Sequence, residues 1–205
     1  YLDDIKAVIE QSTFTYVRQR QMLGLGHAIL TAQPLIGKEA FAVILADDLC
    51  IDGEFNLLSK MIEIYEKHQC SIIAVEEISL SEIENYGVIS GDLIDDENDI
   101  FRVTKMKEKP NSNDLRDFIP DKASLNKFST FHGIIGRYIL TPDIFNILQN
   151  LKPSKNGEIQ ITDALLYQAT KGNVIALKFD GKRFDCGSIK GFLDATNYFA
   201  NNLKL

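Results

Sequence analysis

Ala42-Val43-Ile44-Leu45-Ala46-Asp47-Asp48 is an apolar run that ends in two carboxylates, and it follows Val17-Arg18-Gln19-Arg20-Gln21-Met22-Leu23-Gly24-Leu25-Gly26-His27-Ala28-Ile29. The unbroken apolar stretch predicts a buried strand over residues 41 to 46, of the kind that sits inside a parallel sheet. The two-glycine turn predicts a helix over residues 26 to 33. Glycines without a β-carbon let a flat base or a phosphate approach the backbone, and a helix start offers unpaired N–H groups to an anion. An acid at a strand end can hold a divalent cation.

Working outward, residues 14 to 18 read as a short strand, and residues 54 to 68 as an amphipathic helix with Phe55, Leu58, Met61, Ile62 and Tyr65 at helical spacing. A strand over 71 to 77 follows, and this βαβ succession predicts a mostly parallel sheet with right-handed crossovers. Shorter strands are expected at 86 to 90, 100 to 108 and 128 to 140. Asp92, Asp95, Asp96, Glu97 and Asp99 read as a solvated turn, because they lack the spacing of a calcium loop, and residues 111 to 125 as a mobile polar connection. Pro142 opens a short helix, Thr162-Asp163 a second one, residues 173 to 179 form a strand, and 189 to 203 a last helix whose face Phe192, Ala195, Phe199 and Leu203 should pack on the body.

Composition narrows the function classes. Of 205 residues 45% are hydrophobic and 25% charged, which is ordinary for a globular chain. A net charge of -7 argues against a general binder of nucleic acid or membrane surfaces, and no stretch is apolar enough for a membrane span. Cys50, Cys70 and Cys186 are an odd, unclustered set that points to reduced thiols and a cytoplasmic location. His27, His68 and His132 are too scattered for a metal site; His68 reads as a helix-end residue.

Eight motifs then occur in one order: Gln19; Gly24 to Ala28; Leu45-Ala46-Asp47-Asp48; Asn85-Tyr86-Gly87-Val88-Ile89; Glu108-Lys109-Pro110; Gly136-Arg137-Tyr138-Ile139-Leu140-Thr141-Pro142; Gly157-Glu158-Ile159-Gln160-Ile161-Thr162-Asp163-Ala164; and Phe184-Asp185-Cys186-Gly187-Ser188. Each is short, but the series resembles the sugar nucleotidyltransferases, in particular the bacterial UTP–glucose-1-phosphate uridylyltransferases. The resemblance implies an α/β fold with a mostly parallel, Rossmann-like nucleotidyltransferase sheet flanked by helices and a smaller antiparallel sheet on the sugar side. Family members open with a strand and a Gly-Thr-Arg loop that wraps the triphosphate. This sequence begins instead at Tyr1-Leu2-Asp3-Asp4-Ile5, so residues 1–205 are expected to form one nucleotidyltransferase domain without that strand and loop, and to be inactive alone.

By the same resemblance UTP and glucose-1-phosphate are the substrates, Mg2+ is the cofactor, and the protein is a homo-oligomer. Asp47 and Asp185 match the metal positions. Gln19 matches the residue that reads the pyrimidine edge, and Gly24 would lie against the base. Lys109 would neutralise the sugar phosphate as a compact charge. Glu108 and Glu158 would accept sugar hydroxyls, with Tyr86 and Gly87 as the sugar-side wall. Asp48 reads as a turn or cap residue, Cys186 as a buried small residue, and Gly26 and His27 as shaping the turn. Lys190 stands one residue later than the family's lysine, about 100° round a helix, and is a possible phosphate contact only. Three other readings stay open: a dTTP-dependent pyrophosphorylase, a metal-dependent glycosyltransferase, and a non-catalytic nucleotide-sugar binding module.

Overall fold

The computed structural model describes residues 2–51, 56–95, 99–111, 114, 118 and 130–202. Its helices are α1 (Leu2–Gln11), α2 (Gly24–Thr31), α3 (Gln33–Ile36), α4 (Leu57–His68), α5 (Asp143–Asn150), α6 (Ile161–Ala169) and α7 (Ile189–Asn202). The strands are β1 (Phe41–Ile44), β2 (Asp48–Ile51), β3 (Ser71–Ser79), β4 (Gly87–Asp95), β5 (Ile100–Glu108), β6 (Thr130–Leu140), β7 (Val174–Lys178) and β8 (Lys182–Asp185).

Six strands form one sheet in the order β1-β6-β3-β7-β5-β4, with β4 also pairing β6, while β2 and β8 form a small second sheet. The class is α/β, with a large sheet, flanking helices and a smaller sheet. Pairing directions differ from the mostly parallel expectation: among the described residues only β3 and β7 pair in parallel, and the other pairs are antiparallel. The reason is an insertion. β1, β3 and β7 do run the same way, as a βαβ succession requires, but β6 runs against them and lies between β1 and β3. A strand added from the far side of the chain leaves no trace in local periodicity. The strands at 86 to 90, 100 to 108 and 128 to 140 therefore belong to the main sheet, and the smaller antiparallel sheet is the unforeseen pair β2–β8.

Period-two alternation along the strands sends side chains to two cores. Ile72 and Ala74 of β3 join Leu57, Met61 and Ile64 of α4 on one face. Ile73 and Val75 join Ile144, Phe145 and Leu148 of α5 and Ala164 and Leu165 of α6 on the other. Helix α4 begins at Asn56, whose side chain accepts the Ser59 N–H at 3.2 Å, and stops at Gln69 in the left-handed conformation. His68 stands in its last turn beside Lys67.

Local expectations failed where tertiary context decides. Residues 14 to 18 form no strand and are exposed. β1 is a half-exposed edge strand, with Ile44 54% exposed, and not a buried one. On α7 Ala195 is buried and Tyr198 and Phe199 lie against Phe184, whereas Phe192 is 59% exposed; Leu203 is outside the described residues. Asp92 and Asp95 are on β4, Asp99 precedes β5, and Asp96 and Glu97 are outside the described residues, as is nearly all of 111 to 125. No helix among the described residues is long and apolar enough to cross a membrane.

Candidate active site

The two predicted metal ligands meet. Asp47 lies between β1 and β2, Asp185 ends β8, and the Cys186 N–H donates to the Asp47 carbonyl at 2.7 Å, which fastens one loop to the other. A β-carbon placed on Gly187 would sit 3.1 Å from an Asp185 oxygen and 3.1 Å from an Asp47 oxygen. The two oxygens are thus no farther apart than twice that distance. Both acids are exposed. No group of three metal-ligating side chains occurs among the described residues. Two carboxylates suit Mg2+, which usually keeps waters and takes substrate phosphates beside one or two protein oxygens, so these residues fit a cation held jointly with a nucleotide.

Asp48 is a correction to the sequence reading. It is 5% exposed, starts β2, and accepts Arg183 Nε and the Gly136 N–H, each at 2.5 Å. It is a buried ion-pair partner, not a turn or cap residue. Arg183 carries this pair onward to Glu76 and, at 3.0 Å, to the Tyr86 hydroxyl. Burial pushes the Glu76 carboxyl up, against the pull of Arg183.

A cavity of about 200 Å³ opens beside the acids, bounded by Asp185, Arg183, Tyr86, Gly87, Glu108 and Thr162 among others. That is below the ~300 to 1,000 Å³ of sites for drug-sized ligands and suits one small polar group. Glu108 accepts the Thr162 hydroxyl at 3.0 Å. Burial pushes its carboxyl up, and the nearby Asp163 and Glu158 push the same way against Thr162 and Lys109. Gly87 keeps the cavity wall thin: a β-carbon there would come within 2.8 Å of the Thr162 methyl and 3.2 Å of a Glu108 oxygen.

Lys109 follows Glu108, exposed, with its N–H on the Tyr86 carbonyl at 2.9 Å. Its φ is 43°. A residue before proline ordinarily adopts an extended backbone, so Pro110 alone would not place it there; this left-handed conformation costs a lysine about 1 to 2 kcal/mol, and it is held between Glu108 and Pro110.

Gly24 lies against Glu158, and Gln19 reaches Gly24. The Gln19 amide nitrogen donates to the Gly24 carbonyl at 3.2 Å and lies 2.9 Å from His27 Nδ1. Because the carbonyl can only accept, the amide must present its NH2 here, so His27 accepts at Nδ1 and the Gln19 oxygen takes no part in either contact. Gly24 has a second reason to be glycine: its φ is +84°, and a β-carbon would come within 2.8 Å of Glu158 Cβ. Glu158 is half-buried and accepts from Asn156 at 2.9 Å and Gln160 at 2.7 Å. The Lys190 ammonium pairs with Asp194 at 2.6 Å on the exposed face of α7. Cys186 is half-buried.

Sequence reasoning missed Arg183, Gly136, Gly187 and Thr162. For Arg183 a signal existed: two residues before Asp185 in a strand, it shares that residue's side of the sheet.

Comparison with known proteins gives the family of the chain. The family model for nucleotidyl transferases matches residues 2–202. UTP–glucose-1-phosphate uridylyltransferase of Pseudomonas aeruginosa is 52% identical over 204 residues, 99% of this chain and 68% of that protein. A crystal structure of UDP-glucose pyrophosphorylase complexed with UDP-glucose superposes with a TM-score of 0.86 at 48% identity, covering 98% of this chain and 72% of that one. UTP-bound UGPase from Acinetobacter baumannii gives 0.78 at 33% identity, covering 100% and 68%. This chain spans about two thirds of the length of such relatives. It belongs to the nucleotidyl transferase family, among the UTP–glucose-1-phosphate uridylyltransferases.

Proposed function

We propose that the protein forms UDP-glucose and pyrophosphate from UTP and glucose-1-phosphate. The observation that carries this is the meeting of Asp47 and Asp185 across Gly187 at the edge of a small polar cavity closed by Glu108, Tyr86 and Gly87. The names of the relatives above support the choice of substrates.

In the reaction an oxygen of glucose-1-phosphate forms a bond to the α-phosphorus of UTP, and the bond from that phosphorus to the bridging oxygen of the β-phosphate breaks, so pyrophosphate leaves in line. No covalent nucleophile from the protein is needed; positioning and neutralisation of spreading charge supply the catalysis. Asp47 and Asp185 would hold Mg2+, which when bound supplies positive charge to the phosphoryl oxygens. Lys109 sets its ammonium against the sugar phosphate and so presents the attacking oxygen. Glu108 accepts a sugar hydroxyl once ionised, and Glu158 another. The Gln19 oxygen accepts the imide N–H of uracil, with Gly24 and α2 beneath the base. Thymine carries the same imide, so Gln19 separates pyrimidine imides from purines and leaves uracil and thymine to other contacts.

Pyrophosphate release by the full-length protein with Mg2+ and glucose-1-phosphate, compared across UTP, dTTP, ATP and GTP, tests the reading. UTP should be fastest. A clear preference for a purine nucleotide would overturn the base assignment to Gln19 and Gly24.

A further inference from the structure

Asp48 and Asp185 stand directly opposite each other in the β2–β8 pair. Like charges at opposed positions repel, so something must take up one of them. Arg183 does so, binding Asp48 through Nε and turning a terminal nitrogen to Glu76 and to the Tyr86 hydroxyl. Its guanidinium also lies over the Tyr86 ring, 5.3 Å from the centroid.

The second oxygen of Asp48 is fixed by a bulge. Ile73 pairs Tyr138 and Val75 pairs Ile134, so Ile135, Gly136 and Arg137 stand opposite Ala74 alone. That irregularity turns the Gly136 N–H onto Asp48, and a β-carbon at Gly136 would come within 2.8 Å of the same side chain. Arg137, on the bulge, donates to the carbonyls of Asp48 at 2.8 Å and Leu45 at 3.3 Å. The loop that bears Asp47 is thus clamped from β6 at its backbone and from β8 at the neighbouring side chain.

We propose that Arg183 is a positioning residue of the transfer site: through Asp48 it sets the separation of Asp47 and Asp185, and through Tyr86 it ties that separation to the wall of the sugar cavity. This rests on the reading of Asp47 and Asp185 as the cation ligands. A lysine could not replace it, because only the planar fork of a guanidinium reaches Asp48, Glu76 and Tyr86 together. The two ends of the reaction, cation and sugar, are then coupled through one side chain.

The test uses the full-length protein and two variants, Arg183→Lys and Glu76→Gln. The second keeps an acceptor of the same size on a partly exposed residue and stays folded if the first does not. Amide exchange of Gly136 and Cys186 is followed by NMR without ligand, and Mn2+ binding is titrated in the presence of UDP-glucose. In Arg183→Lys both amides should exchange about tenfold faster or more, with β3 still protected, and Mn2+ should bind about tenfold more weakly. Glu76→Gln should shift both in the same direction by a smaller factor. Wild-type exchange and Mn2+ affinity in both variants would overturn the proposal. If wild-type protein binds UDP-glucose but no Mn2+, the assignment of the acids fails, and the exchange rates still decide the role of Arg183.

Discussion

Replacing Gly187 with alanine should uncouple the fold from its use of metal. Its φ is not in the left-handed region, so an added methyl brings no backbone strain. That methyl would lie 3.1 Å from Asp185 Oδ1 and from Asp47 Oδ2, against an ordinary contact of 3.4 Å or more. Each carboxylate end must therefore give by a few tenths of an ångström. Exposed side-chain ends can do this within about 0.5 kcal/mol, and the alanine recovers ~0.4 to 1 kcal/mol by restricting the unfolded chain. The melting temperature should scarcely move. The metal is less forgiving: Mg2+ needs oxygens at ~2.0 to 2.1 Å in near-octahedral array, and the methyl crowds one oxygen of each carboxylate. Half-saturation by Mg2+ in the pyrophosphate-release assay should rise about tenfold or more, a loss of about 1.4 kcal/mol. Superimposable Mg2+ curves for Gly187→Ala and wild type, at equal melting temperature, would refute the convergence of Asp47 and Asp185 on one ion.

Lys109→Ala should weaken glucose-1-phosphate binding by about 1.5 to 3 kcal/mol, the worth of a charge-assisted contact, while UTP affinity changes little; separate calorimetric titrations decide, and a loss confined to UTP would put Lys109 on the wrong ligand. Gly24→Ala forces a side chain into φ +84° against Glu158 Cβ at 2.8 Å, and should cost ~2 kcal/mol in urea unfolding; a change under ~0.5 kcal/mol would show that the turn yields. Glu108 should titrate above its usual 4.5, because burial disfavours its charge. With its folded value raised, the cost of its charge is present above that value and relieved as pH falls through it, so stability should rise on that descent and Glu108→Gln should abolish the slope. A carboxyl-carbon NMR titration at or below 4.5 would contradict this.

The elements legible in the sequence were those whose determinants are local. The alternation from Ile100 to Glu108 marked β5 with its observed bounds, and Pro142 and Thr162 marked the starts of α5 and α6 to within a residue or so. What local pattern could not carry is which strand lies beside which. β6 enters the sheet between β1 and β3 and reverses the expected pairing, and β1 has no second neighbour among the described strands. Strands as short as β2 and β8 give too few alternations to be noticed, yet Asp47 immediately precedes the first and Asp185 ends the second. Within the site, the resemblance picked out Asp47 and Asp185, which the fold brings together. The residues that hold them, Arg183, Asp48 and Gly136, act through contacts between distant parts of the chain. Gly24 was read as room for a base, yet its φ and the packing of Glu158 already demand glycine.

The most direct measurement is a crystal structure of the full-length protein with UDP-glucose and Mn2+, with the metal located by its anomalous scattering. The account places the peak between Asp47 and Asp185, bonded to both carboxylates and to the diphosphate, with the glucose in the cavity beside Glu108 and Tyr86. A peak bonded to neither acid, with UDP-glucose bound, would contradict it.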